Sequence, residues 1–332
     1  METIKPVKTP KVIILYNNSD ITKNISPYIQ SVTYTDYEKD QSDELSITLN
    51  DYDGYFQNDW RPVKGDKITA QIGYEGEKLL ACGTFTVDEP ELNIETDGDT
   101  FTIRALAASI NQKTREKNVI GYRDKTLVDI AKQIAKKHGY TVVGSAGFIK
   151  IPYAAQYNET DLAFLKRLAA SYGYIFKLTD TVITFIPVED LENSKSILSI
   201  SRKDIERATL RDSATKTYTA CSAKYLNPKT GKLVTYTARS SKTGLKNETM
   251  HLDGKYATKA QAKAAAEAAL RRGSKAVTGN IDFKSGQIKA IAGVNLEADF
   301  SNSFSGKYHV TQSTHTVTPE DYKTSVEVER SL

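Results

Sequence analysis

The residues able to do chemistry in this chain are few, and their spacing does not build a metal centre. The four histidines are His138, His251, His309 and His315. His309 and His315 lie on one face of a predicted strand, but six residues at ~3.3 Å each separate them by about 20 Å, too far for one metal ion. We therefore expect ordinary surface or packing histidines and predict no metal site.

The two cysteines, Cys82 and Cys221, give equally little material for a reaction. Two are too few for a disulfide scaffold, and no Cys-x-x-Cys spacing is present for zinc. A nucleophilic cysteine needs a histidine base nearby in space, and the sequence neither supports such a pair with a local signature nor excludes it. This cysteine usage favours folding in a reduced, cytosolic compartment.

Loops that would hold ions or phosphates are also missing. Asp51-Tyr52-Asp53-Gly54 resembles part of a calcium loop, but alignment on its glycine places Leu49 at the first ligand position and Trp60 at the position of the bidentate glutamate. Phosphate-binding glycine loops, Gly-x-Ser-x-Gly and His-Glu-x-x-His are absent. We predict a protein that is not an enzyme, with no catalytic, cofactor-binding or metal-binding residues.

Charge is distributed unevenly along the 332 residues, although the net charge is only +4. Residues 1–100 carry 9 basic and 19 acidic side chains, or −10, whereas residues 202–275 carry 17 basic and 6 acidic, or +11. The asymmetry indicates either that an acidic region docks on a basic one or that the basic stretch, which contains four tyrosines, contacts nucleic acid. A solvated or subunit-facing β surface is the plainer interpretation of the same stretch.

The elements that must position these residues begin with a β domain over 1–110. Apolar residues recur there with a period of two, which gathers them on one face of each of five strands. They are Val32/Tyr34, Leu45/Ile47/Leu49, Ile68/Ala70/Ile72/Tyr74, Phe85/Val87 and Phe101/Ile103/Ala105. Turn residues such as Asp53-Gly54 between the strands predict an antiparallel sandwich or barrel. The longest apolar run, Val12-Ile13-Ile14-Leu15, is far below the ~20 residues that cross a bilayer, so we predict no membrane insertion.

The pattern becomes helical in an insert over 111–195. Thr126-Leu127-Val128-Asp129 has capping-box spacing and Gly139 is a natural stop, which predicts a helix over about 127–138. A second helix is predicted over about 160–172. The residues expected to pack the two helices together are Val128, Ile130, Ile134, Phe164, Leu165 and Leu168.

The two helical units are near copies at an offset of 34 residues. Each helix is followed by Gly-Tyr and then by a strand, Thr141–Val143 in the first unit and Ile175–Leu178 in the second. Only two copies exist and each contains a strand, so the pattern favours a small α/β insert over a helical-repeat array.

A second β domain follows over 196–332, interrupted by one Ala-rich helix at 259–272. We expect Ala260, Ala264, Ala268 and Ala269 to let this helix lie close against a sheet. Strands from about 198–240 could instead complete the first β domain. The predicted fold class is mainly β with an α/β insert: two tube-like antiparallel β-barrel or sandwich domains flank a small helix–strand repeat domain.

Several C-terminal segments occur in a recognisable order. They are Val277-Thr278-Gly279-Asn280, Gly286, Ala292-Gly293-Val294, Ser305-Gly306-Lys307-Tyr308-His309-Val310, His315 and Tyr322-Lys323-Thr324-Ser325-Val326-Glu327-Val328. Together with the preceding Ala-rich helix, this succession resembles the C-terminal domain of the phage late-control protein D family. The segments 122–127 and 156–165 of the insert are similar to the same family, and the latter also resembles the hub part of type VI secretion spike proteins.

The resemblance implies a baseplate hub of a phage tail or of a phage-derived contractile injection particle. Such a hub is a homotrimer whose two tube-like domains per chain form a pseudo-sixfold ring between a hexameric tail tube, or a tube-initiator protein, and a trimeric spike. The spike would be a separate chain, because no β-helical needle follows the hub here, and DNA could pass the channel. The particle would assemble in the bacterial cytoplasm. The insert has also been likened to LysM modules, so the alternative is a peptidoglycan-binding, wall-associated protein or a tail-associated lysin component.

Overall fold

The computed structural model describes residues 8–39, 41–107, 116–144, 149–213, 218–227, 230–240 and 248–331. Its strands form one 13-stranded sheet and three small sheets. This confirms the predicted class, mainly β with an α/β insert. The predicted boundary between residues 110 and 111 lies outside the described ranges. Within those ranges, no helix is long and apolar enough to cross a membrane.

The first β domain contains seven strands and two short helical turns. They are β1 (Pro10–Tyr16), β2 (Ser19–Asp20), α1 (Thr22–Ile25), a 3-10 turn (Ser26–Tyr28), β3 (Ile29–Tyr37), β4 (Glu44–Asn50), β5 (Lys67–Tyr74), β6 (Leu80–Asn93) and β7 (Thr100–Leu106). The five predicted strands are β3 to β7. The apolar run noted near the N-terminus is β1, which pairs with β5. The first half of the long strand β6 pairs with β5 and its second half with β7, so the sheet folds over one apolar core.

The insert is an α/β unit with its own core. Its elements are β8 (Lys117–Thr126), α2 (Leu127–His138), β9 (Thr141–Val143), β10 (Lys150–Thr160), α3 (Asp161–Tyr172), β11 (Tyr174–Thr179), β12 (Val182–Pro187) and α4 (Val188–Asn193). Both predicted helices are confirmed. Thr126 and Asp129 form the capping box of α2, Thr160 caps α3, and Gly139 and Gly173 end the two helices in the left-handed conformation.

The predicted packing of the two helices is also confirmed. All six residues named from the sequence belong to one buried cluster. Phe164 is fully buried and its ring stacks on Tyr122 at 5.3 Å. The strands that follow the two helices do not form separate copies of one unit, however. β9 and β11 lie on either side of the same strand, β12, in one three-stranded sheet.

Truncation of Phe164 to alanine is expected to lower the free energy of unfolding by about 3–5 kcal/mol. The change removes a large buried ring and leaves a cavity that the helices around it can fill only in part. Urea unfolding of the two proteins measures the difference. A loss below about 0.5 kcal/mol, the size expected of an exposed position, would contradict this packing.

The second β domain is assembled from six strands that are interrupted in the chain. They are β13 (Ser196–Ser201), β14 (Ile205–Asp212), β18 (Lys275–Phe283), β19 (Asn295–Asp299), β20 (Gly306–Val317) and β21 (Tyr322–Ser331). β13 pairs with β19 and β14 pairs with β18, so both strands lie beside strands from the C-terminal part of the chain.

Between β14 and β18 the chain builds a separate three-stranded unit. It consists of β15 (Ala220–Leu226), β16 (Leu233–Arg239), β17 (Thr249–Tyr256) and the predicted Ala-rich helix, α5 (Lys259–Arg272). The face of α5 that meets this sheet is Ala262, Ala266, Ala269 and Leu270. The expected contact face was therefore largely wrong. Ala260 is exposed, and Ala268 lies against Gly173 at the end of α3, because α5 packs between the small sheet and the insert.

A buried polar cluster around Tyr322 joins the two β domains. Tyr74 of the first domain donates to the Tyr322 carbonyl at 3.2 Å and accepts from the Gly286 amide at 2.9 Å. A side chain at Gly286 would overlap the Tyr322 ring, with a Cβ only 1.9 Å from it. This close approach explains the glycine in the C-terminal succession of residues.

His315 lies beside Tyr322 and is fully buried. Nε2 lies 3.2 Å from the Ala290 carbonyl and can only donate there, so Nδ1 is the acceptor that faces the Tyr322 hydroxyl at 2.9 Å. Burial lowers the pKa of His315 to about 4. The imidazole is thus a neutral packing group at neutral pH.

Acidification is expected to weaken the fold through His315. The unfolded chain binds this proton near pH 6.5 and the folded chain only near pH 4, so the stability contributed by the neutral ring is complete above pH 6.5 and declines below it. Between pH 7 and pH 4 the wild type should lose about 3 kcal/mol relative to His315→Gln. Urea unfolding of both proteins across this range measures the difference, and parallel pH profiles would contradict it.

Candidate assembly surfaces

The two β domains share one continuous sheet. Eight neighbouring strands follow the order β14-β18-β21-β20-β3-β4-β7-β6. The link between the domains is the antiparallel pair β20 and β3, in register from Gln312 opposite Tyr37 to Val317 opposite Val32. Backbone hydrogen bonds therefore hold the domains as one curved plate, whose two faces, two edges and two ends are the surfaces available for assembly.

One face of this plate carries mostly short, uncharged polar side chains. They are Ser31, Thr33 and Thr35 on β3, Ser46, Thr48 and Asn50 on β4, Thr100 and Thr102 on β7, Thr314 and Thr316 on β20, Ser325 on β21, Thr278 and Asn280 on β18, and Thr209 on β14. Hydroxyls of neighbouring strands lie 3.4 Å apart in the pairs Thr33–Thr316 and Thr48–Thr102. We call this surface the hydroxyl face. Its side chains can form many hydrogen bonds with water, but they present little apolar area that a binding protein could bury.

On the hydroxyl face, acidic side chains line one edge of the plate and basic side chains line the other. Among the described strands, residues 88–93 of β6 pair with β7 on one side only, and β14 pairs only with β18. Glu89 and Glu91 project from the β6 edge, 3.9 and 3.4 Å from Arg104. Arg207 and Arg211 project from β14, opposite Asp282 and Thr278, and both are exposed. An acidic row thus marks one edge and a basic row the other.

The insert is held on the plate by a buried ion cluster. Lys177 of β11 lies 2.5 Å from Asp36 at the end of β3 and 2.9 Å from Asp43 in the following turn. The second oxygen of Asp36 accepts from the Ala292 amide of the second β domain at 3.0 Å. Asp36 therefore contacts all three parts of the chain.

The pKa values of Asp43 and Lys177 are both shifted in this cluster. Burial and the neighbouring Asp36 raise the pKa of Asp43 to about 6 against the opposing pull of Lys177. Burial alone would lower the pKa of Lys177, but the carboxylates of Asp36 and Asp43 outweigh it and raise that pKa. Lys177 is thus charged, and it is the cation that keeps two buried acids close together.

A second polar chain runs from the first β domain to α4. Glu38 lies 2.5 Å from Nε2 of His309, and Nδ1 of His309 is 2.9 Å from the Asn295 amide oxygen. The Asn295 amide nitrogen donates to the carbonyls of Leu191 and Ser194 at 2.7 and 3.0 Å. Burial would raise the pKa of Glu38, but the hydrogen bond from His309 and the charge of Lys39 lower it. His309 is therefore a buried link in the domain junction.

The remaining chemically capable residues are used in folding. Nε2 of His138 lies 2.8 Å from Asp161, and Nδ1 of His251 lies 2.6 Å from Ser222. Burial raises the pKa of both the Cys82 and the Cys221 thiols, which keeps them protonated. No hydrogen bond joins either cysteine to a histidine in the described ranges.

The loop that resembles a calcium site is organised by its own backbone. The Asp51 carboxylate accepts from the Phe56 and Gln57 amides at 3.0 and 3.2 Å, which closes the loop. The two charged edge rows and the ion cluster around Lys177 were not predicted from the sequence. The spacing Glu89-x-Glu91 on a strand was a signal for the acidic row, since such residues share one face.

Comparison with known proteins places this chain among tail proteins. A family model described as phage tail baseplate hub (GPD) matches residues 57–321. The chain is 34% identical over 229 residues to the probable baseplate hub protein of Escherichia phage P2, covering 67% of this chain and 57% of that protein. It is 31% identical over 228 residues to the probable baseplate hub protein of Escherichia phage 186, covering 66% and 57%. The chain thus spans a little over half the length of these relatives.

Solved structures share the fold at low sequence identity. The tail protein from Neisseria meningitidis MC58 is 11% identical with a TM-score of 0.68, and the match covers 97% of this chain and 96% of that one. The 43 kDa tail protein of prophage MuSo2 from Shewanella oneidensis is 14% identical with a TM-score of 0.69, covering 97% and 98%. The E. coli c3393 protein, a component of the type VI secretion system, is 12% identical with a TM-score of 0.56, covering 91% and 73%.

The matched relatives are baseplate hub proteins, and the solved structures are tail proteins and one component of a type VI secretion system. The alternative of a peptidoglycan-binding or lysin protein finds no support among them. The chain belongs to the phage tail baseplate hub (GPD) family, whose members are structural proteins of the tail.

Proposed function

We propose that three copies of this hub close into a ring that joins a hexameric tail tube to a trimeric spike formed by a separate chain. The observation that carries the proposal is that the two edges of one continuous plate carry opposite charges and that, among the described strands, no further strand lies beside residues 88–93 of β6 or beside β14. Exposed strand edges are sites for pairing with another chain, and a head-to-tail contact between unlike edges generates a ring when the rotation closes.

Strand directions in the plate suit this closure. Each neighbouring pair among the eight strands is antiparallel, so the strand directions alternate from β14 to β6. If every copy points the same way along the ring axis, the β6 edge of one copy meets the β14 edge of the next in antiparallel orientation. Three copies of eight strands then make one barrel of twenty-four strands.

The ring also matches the symmetries of the two partners. Each chain contributes two β domains, so a trimer places six β domains around its axis, while the insert and the three-stranded unit each appear three times. A trimer can thereby offer six comparable surfaces to a hexamer and three to a trimer. The axis is then a channel, through which DNA could pass, and the particle would assemble in the bacterial cytoplasm.

The mass of the purified hub tests the ring. We expect about 110 kDa by light scattering, three times 36.8 kDa, for the hub alone or together with its spike protein. The trimer fraction should rise as ionic strength falls, because charge pairs at the ring contacts are screened over ~8–10 Å at physiological salt. A hub that is monomeric both alone and with its spike protein would contradict the ring. A trimer fraction that does not change with salt would contradict the role of the charged edges in the ring contacts.

A further inference from the structure

We infer that the hub docks the tail-tube ring through an aromatic patch on the first β domain, and this inference rests on the proposed function. The patch consists of Tyr52, Tyr55 and Trp60, together with Ile94, which follows β6 at the same end of the plate. Their exposures are 65%, 39%, 42% and 77%. Large apolar side chains grouped at this exposure on an ordered surface are typical of protein-binding sites.

The aromatic patch is rigid before any partner arrives. Tyr55 stacks on Trp60 at 4.9 Å, and Tyr28 packs against Tyr52 at 5.5 Å. The loop that carries them is tied to the neighbouring turn, since the Asp51 amide donates to the Asp99 carbonyl at 2.8 Å. A preorganised surface gains affinity because little side-chain freedom is lost on binding.

The place of the aromatic patch in the plate identifies which partner it meets. Asn50, Asn93 and Thr100 lie side by side where β4, β6 and β7 reach one end of the plate. Through the β20–β3 register, the 318–321 turn lies at the same end. The insert and the three-stranded unit leave the plate at the opposite end, after Leu106 and Asp212.

The end with the aromatic patch is therefore formed by the strand turns of both β domains and is quasi-sixfold in a trimer. The opposite end carries units that occur once in each chain and is threefold. A hexameric tube ring fits the first end and a trimeric spike fits the second. In this arrangement three of the six tube subunits meet an aromatic patch.

The charges around the aromatic patch specify the chemistry of the tube rim. The two loops at this end carry five exposed or half-buried carboxylates, Asp53, Asp59, Glu95, Asp97 and Asp99, which outnumber the two exposed cations there, Arg61 and Lys64. The surface thus calls for a rim that presents basic side chains around apolar ones. Complementary charges of this kind steer association and exclude wrong partners.

Purified tail-tube protein from the same particle is the probe. In a variant carrying Tyr52→Ala and Trp60→Ala, we expect at least tenfold weaker binding of the tube protein. Ile94→Lys, at a position too exposed to affect folding, should weaken binding as well, and so should the charge reversal Asp59→Lys with Asp97→Lys. The control is Tyr157→Ala, which removes an exposed tyrosine (77%) on β10 of the insert, away from the aromatic patch.

The mass of each variant is measured first, so that failure of the ring is distinguished from failure of docking. Trimeric variants that bind the tube protein like the wild type would overturn the assignment and leave the proposed ring intact. Loss of spike binding with tube binding retained would overturn it too, because the ends would then be exchanged. A wild-type hub that is itself monomeric would contradict both the ring and the docking site.

Discussion

Replacing Arg207 and Arg211 by glutamate is expected to leave the hub monomeric at concentrations where the wild type is trimeric. In the proposed ring these arginines face Glu89 and Glu91 of the neighbouring copy, and the reversal places like charges opposite one another at all three contacts. Juxtaposed like charges across an interface cost several kcal/mol. Light scattering at fixed protein concentration measures the loss.

A charge swap makes this result specific to the edges. Adding Glu89→Arg and Glu91→Arg to the same chain should restore the trimer, provided that Arg104, which now lies beside both acids, is changed to glutamate. Reversal of Lys117 and Arg123, two exposed cations on β8, is the matched control and should leave the trimer unchanged. A trimer that survives the edge reversal would show that the contact lies elsewhere.

Replacing Lys177 by methionine is expected to lower the free energy of unfolding by about 3–5 kcal/mol, because it leaves two buried carboxylates without their cation. The loss should be smaller below pH 6, where Asp43 can take up a proton, and smaller in the double variant with Asp43→Asn. Urea unfolding at pH 7.5 and pH 5 measures both effects.

The comparison for Lys177 is Lys67→Met. Lys67 lies 3.2 Å from Asp180, also across the boundary with the insert, but both side chains are about 40% exposed. Exposed pairs contribute about 0–1 kcal/mol, so this change should cost little. Equal losses for the two lysines would mean that burial of the Lys177 cluster does not determine how much the cluster contributes to the free energy of unfolding.

Local signals in the sequence were sufficient where a structure is decided locally. The ends of α2 and α3 depend on a threonine cap and a glycine stop within one turn, and both were predicted to within a residue or two. The strands β3 to β7 were visible because one face of each strand is buried and the other is wet.

Features that depend on distant residues could not be predicted in this way. The pairing of β3 with β20 joins residues about 280 positions apart, and the residues of neither strand indicate which strand is its partner. The contact face of α5 was predicted wrongly because alanines occur on several faces of this helix, and a small side chain does not show which face is buried. The face with Ala268, which was expected to meet a sheet, lies against the insert instead. Lys177 looks like any strand lysine until the insert folds onto Asp36.

The union of β3 and β20 also sets the order in which the hub can mature during synthesis. Val317 and Tyr322 belong to the core of the first β domain, so that domain remains incomplete until residue 322 has left the ribosome, long after β1 to β7 have been made. Pairings of such long sequence separation form late and slowly. A nascent hub therefore cannot present its finished β6 edge to another copy before its own β14 edge has been made, which delays ring closure until every subunit can supply both edges.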